Sequence, residues 1–315
     1  MVEIQTNEQQ LADLPGVGPA TVTKLTDAGL GTLMAMAVSS PTEVSTVAGL
    51  SESVARKIIK AARAELQLGF EKAKDYAHKR DKIKKIGTGS SDFDAVLDGG
   101  FESSTITEVY GRTASGKTQL SHLMVVRALM EDPKNKAIYL DSESTFRLSR
   151  IKDFCEANKV DYEDAMERIR VARSFNTDHQ MLLVDEIEKM LQEDNTYRIL
   201  VIDSLTSHFR ADFSGRGELA PRQQKLNKHL HQILKIADLH NLVVIVTNQV
   251  QSDPGQFYGN PEKPIGGNIL SHSVTSIIAV RPGAKGTWVM KLVDSPCLPV
   301  GEASYVITKD GFENV

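Results

Sequence analysis

From residue 87 onward, short apolar runs rich in Val and Ile alternate with longer amphipathic stretches. The runs predict strands at 106–110, 137–140, 169–172, 199–202, 242–246, 276–280 and 288–293. Stretches of helical period predict helices at 118–130, 178–192 and 221–239, lying between the earlier strands. Continuous apolar strands separated by helices indicate a mostly parallel sheet covered by helices on both faces, an α/β fold. After Leu242 the helical stretches stop and the strands crowd, which predicts an antiparallel extension at one edge. Residues 1–68 read differently, as short helical segments broken by Gly and Pro, a small all-α domain. Between the two lies FEKAKDYAHKRDKIKKI, with seven Lys or Arg from Lys72 to Lys85 against Glu71, Asp75 and Asp81. That segment reads as a solvated tether. The expected organisation is therefore 1–68, a linker over 69–86, and a core over 87–315, with no solenoid repeat.

Length and composition agree with this division. At ~100–200 residues per domain, 315 residues leave room for about two domains. Hydrophobic residues at 41% and charged residues at 25% are globular values, which exclude a disordered or fibrous chain. The formal net charge of −4 provides no bulk basic field, so any nucleic-acid contact must come from local patches. Two cysteines, Cys155 and Cys297, make no disulfide framework and have no metal-ligand spacing. The longest apolar runs are strand-length, and the first ten residues lack the order of a secretory leader. The expectation is a soluble, cytoplasmic protein with no membrane contact.

The chemistry concentrates at predicted strand ends. Gly111-Arg112-Thr113-Ala114-Ser115-Gly116-Lys117-Thr118 has the spacing GxxxxGK[ST], between an apolar strand and a helix. Backbone N–H groups of such a loop, backed by a helix N-terminus, surround a β-phosphate. Lys117 is expected to bridge the β- and γ-phosphates and Thr118 to ligate Mg²⁺, with Gln119 at the loop's exit. The run Tyr197 to Asp203 is a buried strand ending in a carboxylate, expected to hold Mg²⁺ through water. Another strand ends in Asp141-Ser142-Glu143, and one of these acids should orient the attacking water. A fourth ends in Thr247-Asn248-Gln249, whose amide can sense a γ-phosphate. Ligands of open α/β sheets bind at this edge, and the expected chemistry is ATP hydrolysis.

In the first zone, Leu14-Pro15-Gly16-Val17-Gly18-Pro19-Ala20 precedes an amphipathic run, and Val47-Ala48-Gly49-Leu50-Ser51 is a weaker copy. Gly16 and Gly18 permit a tight turn and let backbone N–H groups approach a phosphate oxygen. This resembles the helix-hairpin-helix module, which grips DNA backbones without reading bases.

Taken together, LPGVGPAT, GFEKA, ITEVYG with SGKTQL, YLDSESTFR, VIDSLTSHFR, GRGELAPRQQKL, TNQV, PIGGNILSHS and VDSPCLP closely resemble the RadA-type recombinases of archaea, relatives of bacterial RecA. The resemblance spans essentially the whole chain and implies a RecA-like core. It implies that Glu143 is the catalytic glutamate, that Gln249 senses the γ-phosphate and that Arg150 stacks on adenine. Phe70 and Ala73 match the FxxA element by which one protomer docks on its neighbour in a filament or ring. Asp294 and Pro299 fall in the segment that caps ATP from the adjacent protomer, Asp294 being a candidate K⁺ ligand.

Two loops match DNA contacts. One spans Arg210, Arg216 and Arg222, where glycine makes the chain mobile and arginine supplies phosphate contacts. The other runs from 250 to 271 with Phe257, Tyr258, Gly266 and Gly267, and His272 follows it. Such a long unstructured connection is usually functional. There are departures from the pattern. Arg112, Thr113 and Ala114 replace Glu-Phe-Gly-like residues, Val300 stands where an acid often follows the cap proline, and Asn268 replaces a more usual His. The implied function is ATP-dependent pairing and strand exchange between single-stranded and double-stranded DNA, with ATP and Mg²⁺ required and mediators as possible partners. Its rivals are a paralogue that binds ATP and DNA and assists another filament, a hexameric helicase, and a P-loop kinase.

Overall fold

The computed structural model describes residues 11–66, 68–215, 217–252 and 262–315. The chain divides into two compact units, one ending at Lys82 and one beginning at Ile83.

The first unit packs α1 (Pro19–Asp27), α2 (Leu33–Val38), α3 (Pro41–Ala48) and α4 (Glu52–Glu65), and α5 (Ala73–Arg80) follows. Local chemistry sets these boundaries. Ser40 and Glu43 form a reciprocal capping box at the start of α3, with Pro41 in its first turn. Ser51 caps α4 by accepting from the Val54 N–H. Helix α4 buries Ala55, Ile58, Ile59 and Ala62, a stripe at helical spacing, against Leu25, Met36 and Val44.

The second unit opens with β1 (Lys85–Ile86), paired antiparallel with β2 (Phe101–Glu102) around α6 (Ser91–Val96). The segment expected as tether thus ends in a strand of the second unit. The main sheet holds β3 (Thr105–Gly111), β4 (Lys136–Asp141), β5 (Ile169–Arg173), β6 (Tyr197–Asp203), β7 (Val243–Ser252), β8 (Glu262–Pro264), β9 (Ser276–Pro282), β10 (Trp288–Asp294), β11 (Gly301–Ile307) and β12 (Phe312–Asn314). Their order is β12-β11-β10-β9-β3-β7-β6-β4-β5, with β8 paired to β7. From β9 to β5 all neighbours are parallel, and β9 to β12 form the antiparallel extension.

Helices cover both faces. These are α7 (Lys117–Met130), α8 (Leu148–Ala157), α9 (Tyr162–Arg168), α10 (Thr177–Glu193), α11 (Ser207–Asp212), α12 (Leu219–His240) and α13 (Gly267–Ser273). Alternation along each strand sorts the side chains into two cores. Val109, Tyr139, Val201 and Ile245 face the core under α7, while Ile106, Leu140, Ile202 and Val246 face that under α10 and α12.

Two differences from the sequence pattern stand out. Strand β7 runs six residues past Val246, because β8 folds back on it with Val250 opposite Pro264 and Ser252 opposite Glu262. The base of the second long loop is therefore a paired hairpin. The final strands β11 and β12 escape the apolar-run criterion, because β11 buries only alternate small and aromatic positions such as Ala303 and Tyr305. Among the described residues no helix is long and apolar enough to cross a membrane.

Candidate nucleotide and DNA sites

Parallel pairing brings four strand ends abreast. Gly111 of β3 lies opposite Gln249 of β7, and Asp141 of β4 lies opposite Asp203 of β6. The candidate phosphate loop leaves β3 at Gly111 and enters α7 at Gly116, which has φ 92°. A methyl group on Gly111 would lie 2.2 Å from the Val280 carbonyl oxygen, so the loop leaves the sheet through a gap only glycine fits. Ala114, Ser115, Gly116, Lys117, Thr118 and Gln119 line a cleft of about 360 Å³ with Trp288 and Ile307. Arg112 and Thr113 are exposed at the loop's tip.

Lys117 Nζ donates to the carbonyls of Gly111 and Arg112, each at 2.9 Å. Burial lowers its pKa, while the carboxylates of Asp203 and Glu143 pull it back up. Asp203 is buried at the end of β6. Its Oδ2 accepts from the Tyr139 hydroxyl at 2.8 Å, and its Oδ1 accepts from the Thr247 hydroxyl. Each carboxylate oxygen keeps a second lone pair for a water. The hydroxyl of Thr118 and this carboxylate are hard oxygen donors of the kind Mg²⁺ takes. Among the described residues no three His, Cys, Asp or Glu gather as metal ligands. A Mg²⁺ held chiefly by phosphate and water needs no such group.

Glu143 stands at the mouth of this crevice. Its Oε1 accepts from Ser204 Oγ at 2.8 Å and from Gln249 Nε2 at 3.0 Å. The loop that carries it is wound around the buried Asp141 carboxylate. Oδ1 of Asp141 accepts from the N–H groups of Glu143 and Thr145, each at 3.1 Å, and Oδ2 accepts from that of Phe146 at 3.0 Å. Ser142 latches the same loop to β6, its N–H donating to the Asp203 carbonyl and its hydroxyl to that of Ser204. The sequence placed acids at this edge but gave Asp141 no separate role.

His122 was also missed. Its Nε2 accepts from the Arg147 N–H at 2.9 Å, which puts the proton on Nδ1, donating to the Thr118 carbonyl at 2.6 Å. Burial lowers its pKa and favours this neutral form. The ring stacks on Phe146 and ties the first turn of α7 to the Glu143 loop. The i, i+4 spacing of Thr118 and His122 was the available signal.

Arg150 is fixed at the outer end of the cleft. Its guanidinium lies 3.8 Å from the centre of the Phe154 ring. Nε donates to Gln119 Oε1 at 2.6 Å, and the remaining nitrogens donate to the carbonyls of Thr308 and Lys309. Asp294 and Pro299 are not brought to this site. Antiparallel pairing places Trp288 of β10 beside Pro282 at the phosphate-loop end of β9, and Asp294 beside Ile277 at the other end. Both residues are exposed at the opposite sheet edge, as is Val300.

The residues expected at DNA fall into three groups. Arg210 and Arg222 flank an open groove of about 380 Å³ with Phe213, Ser214, Gly215 and Leu219; Arg216 lies outside the described residues. Gly266 caps α13, and the exposed His272 sits in its last turn. Phe257 and Tyr258 lie outside the described residues. In the first unit, Gly16 and Gly18 are exposed on the turn into α1, whose N-terminus has no side-chain cap. The second hairpin differs, because Ser51 occupies the N-terminus of α4. Lys24 donates to the Ala48 carbonyl at 3.3 Å, joining the two hairpins. Phe70 is fully exposed, and Ala73 opens α5.

Comparison with known proteins agrees with this geometry. A family model described as Rad51 matches residues 79–315, and one described as a SAM-like helix-hairpin-helix tandem matches residues 8–64. The chain is 41% identical over 317 residues to the DNA repair and recombination protein RadA of Metallosphaera sedula, covering 99% of this chain and 98% of that protein. It is 44% identical over 321 residues to the protein of the same name from Methanoculleus marisnigri, covering 98% and 99% respectively. A RecA-like core preceded by a helix-hairpin-helix domain, and matched along nearly its full length by these relatives, places the chain in the archaeal RadA branch of the Rad51/RecA family of recombination ATPases.

Proposed function

We propose that this protein is an ATP-dependent DNA recombinase that assembles as a helical filament on single-stranded DNA, pairs it with a homologous duplex and exchanges strands. The observation that carries the reading is the convergence of the phosphate loop, Asp203 and the Glu143–Ser204–Gln249 cluster on one sheet edge, in a chain of a recombination family.

ATP would lie along the loop, with the N–H groups from Arg112 to Thr118 around the β-phosphate and Lys117 transferring its ammonium from loop carbonyls to the β- and γ-oxygens. Mg²⁺, held by the Thr118 hydroxyl and through water by Asp203, would supply neutralisation of the phosphate charge. Glu143, steered by Asp141 and by Ser204, orients the attacking water and takes up its proton. Gln249 donates to Glu143 and can turn the same amide toward a γ-phosphate. Arg150 has one guanidinium face on Phe154 and its edge spent on carbonyls, so the planar opposite face suits an adenine ring.

Asp294 and Pro299 sit at the far edge of their own sheet, so capping of this nucleotide falls to a neighbouring protomer's segment. A K⁺ at Asp294 would likewise sit at that interface. Phe70, exposed beside Ala73, is the anchor for such a neighbour. Arg210 and Arg222 would hold DNA phosphates together with Arg216, and Phe257, Gly266 and Gly267 of the second loop, with His272 after it, would face DNA. The Gly16–Gly18 turn would add backbone grip. Each protomer contributes few cations, but a filament repeats them along the strand. Base pairing itself tests homology, so no base-reading side chain is required.

Strand exchange between labelled homologous DNAs tests this reading. ATP-dependent exchange that disappears in Lys117→Ala supports it, whereas ATP and DNA binding without exchange assigns the chain to a mediator role.

A further inference from the structure

The carboxamide of Asn248 is wholly buried and makes three side-chain hydrogen bonds, each to a different element. Its Oδ1 accepts from the Thr206 hydroxyl at 2.6 Å. Its Nδ2 donates to Glu108 Oε1 at 2.7 Å and to the Ile265 carbonyl at 2.6 Å. The orientation is forced, because a flipped amide would set its oxygen against a carboxylate and a carbonyl.

The three partners lie at functionally separate places. Thr206 is the N-cap residue of α11, the helix that carries Arg210 into the first loop. A threonine there ordinarily caps its own helix, yet this one makes no such bond and gives its hydroxyl to Asn248. Ile265 lies in the second loop just before α13, and its N–H donates back to the Gln249 carbonyl at 3.0 Å. Glu108 sits on β3, three residues before the phosphate loop begins. The next residue along β7 is Gln249, whose side chain reaches Glu143.

Stability alone does not account for this arrangement. Glu108 is completely buried, and among the described residues nothing pairs with its Oε2. A carboxyl half-satisfied in a core destabilises the fold relative to an apolar side chain. What Glu108 does provide is a fixed acceptor, which locks the Asn248 amide in the one orientation that reaches both loops.

We propose that Asn248, oriented by Glu108, is the positioning residue that makes the bases of both loops and the Gln249 side chain move as one unit, so that DNA held in the loops sets the Gln249–Glu143 contact. This rests on the ATPase and DNA reading above. It adds that the two loops share a single buried junction and do not act on the nucleotide independently.

The test compares ATP hydrolysis with and without single-stranded oligonucleotide in Thr206→Val, Asn248→Asp and the pair Asn248→Asp with Glu108→Gln. Thr206→Val removes one hydroxyl and keeps the shape. It is expected to retain basal turnover and KM for ATP, to lower the thermal midpoint by roughly 2–12 °C because the buried Asn248 Oδ1 loses its donor, and to lose roughly fivefold or more of the DNA stimulation, the lower range of an allosteric coupling. Asn248→Asp should lose more, since it faces Glu108 and the Ile265 carbonyl with an acceptor. Adding Glu108→Gln restores an amide–carboxylate bond with the roles exchanged, and should recover part of the stimulation.

A stimulated-to-basal ratio within about twofold of wild type in Thr206→Val overturns the proposal, whatever the folding of the Asn248 variants. So does a loss of basal and stimulated rates in equal proportion, which would mark a structural role only. A wild-type protein that hydrolyses ATP without any DNA stimulation would instead remove the functional reading, and the proposal with it.

Discussion

Replacing Asp141 by Asn tests whether the carboxylate under the Glu143 loop aims Glu143, the group proposed to orient the attacking water. The wild-type carboxylate accepts three backbone N–H groups at 3.0–3.1 Å, two on Oδ1 and one on Oδ2. Asn has one acceptor oxygen, so in its better orientation it keeps the bonds from Glu143 and Thr145 and turns an NH₂ toward the Phe146 N–H. One charge-assisted bond is lost and two donors oppose each other, a cost of about 2–3 kcal/mol. For a unit of this size that lowers the thermal midpoint by roughly 4–12 °C.

The loop can relieve the conflict only by moving, and a displacement of about 1 Å at a reacting group costs roughly 10²-fold in rate. Asp141→Asn should therefore lower kcat for ATP hydrolysis by about 10- to 100-fold. KM should stay within about threefold, because the phosphate loop is untouched. Steady-state kinetics with saturating single-stranded DNA separates the two constants. A variant that melts earlier but keeps wild-type kcat would refute the aiming role, and so would one that changes KM alone.

Other predictions follow from single features. Gly116→Ala forces a side chain onto φ 92° and sets its methyl 2.7 Å from Ile307 Cδ1. A strain of roughly 1–2 kcal/mol should raise the Kd for a fluorescent ATP analogue by about tenfold, and unchanged affinity would contradict the loop assignment. Phe70→Glu changes a fully exposed residue, so the thermal midpoint should hold while light scattering shows assemblies reduced to monomers; persistent assemblies would place the anchor elsewhere.

Glu108 predicts a pH dependence of definite sign. Burial raises its pKa from 4.5 to about 7, so the folded protein holds a proton that the unfolded chain releases between those values. Its favourable contribution is complete below pH 4.5 and is lost as pH rises through 7, by roughly 3 kcal/mol. Relative to wild type, Glu108→Gln should gain about that much stability between pH 4.5 and 8 in urea titrations, and a pH-independent difference would refute it. The comparison with wild type removes His229, whose buried imidazole has a pKa lowered to about 4 and works in the opposite sense.

The parallel core and the loop from Gly111 to Thr118 were legible because their signals are local. Runs such as Ile199 to Ile202 are buried on both faces and cannot hide in an alternating pattern. The loop's GxxxxGK[ST] spacing is contiguous in sequence, and the strand and helix expected to flank it are β3 and α7. What escaped the sequence depends on contacts between distant segments. Asp141 works through main-chain N–H groups that only the folded loop presents, and Asn248 gains its meaning from Thr206, Glu108 and Ile265, which the sheet order brings together. Arg150 shows the intermediate case, since Phe154 follows it at i+4 on α8, but the carbonyls of Thr308 and Lys309 come from the last turn of the chain. Strand β11 was missed because small residues alternate there, and strands as short as β12 and β1 have no periodicity to read.

The most direct test of the central claim is strand exchange between a labelled single strand and its homologous duplex, with wild-type protein and Lys117→Ala side by side in the presence and absence of ATP. Exchange is expected only with wild type and ATP, and none with a heterologous duplex. Exchange that persists in Lys117→Ala would contradict the role given to the phosphate loop, and absence of exchange by a wild type that binds both ATP and DNA would contradict the recombinase reading.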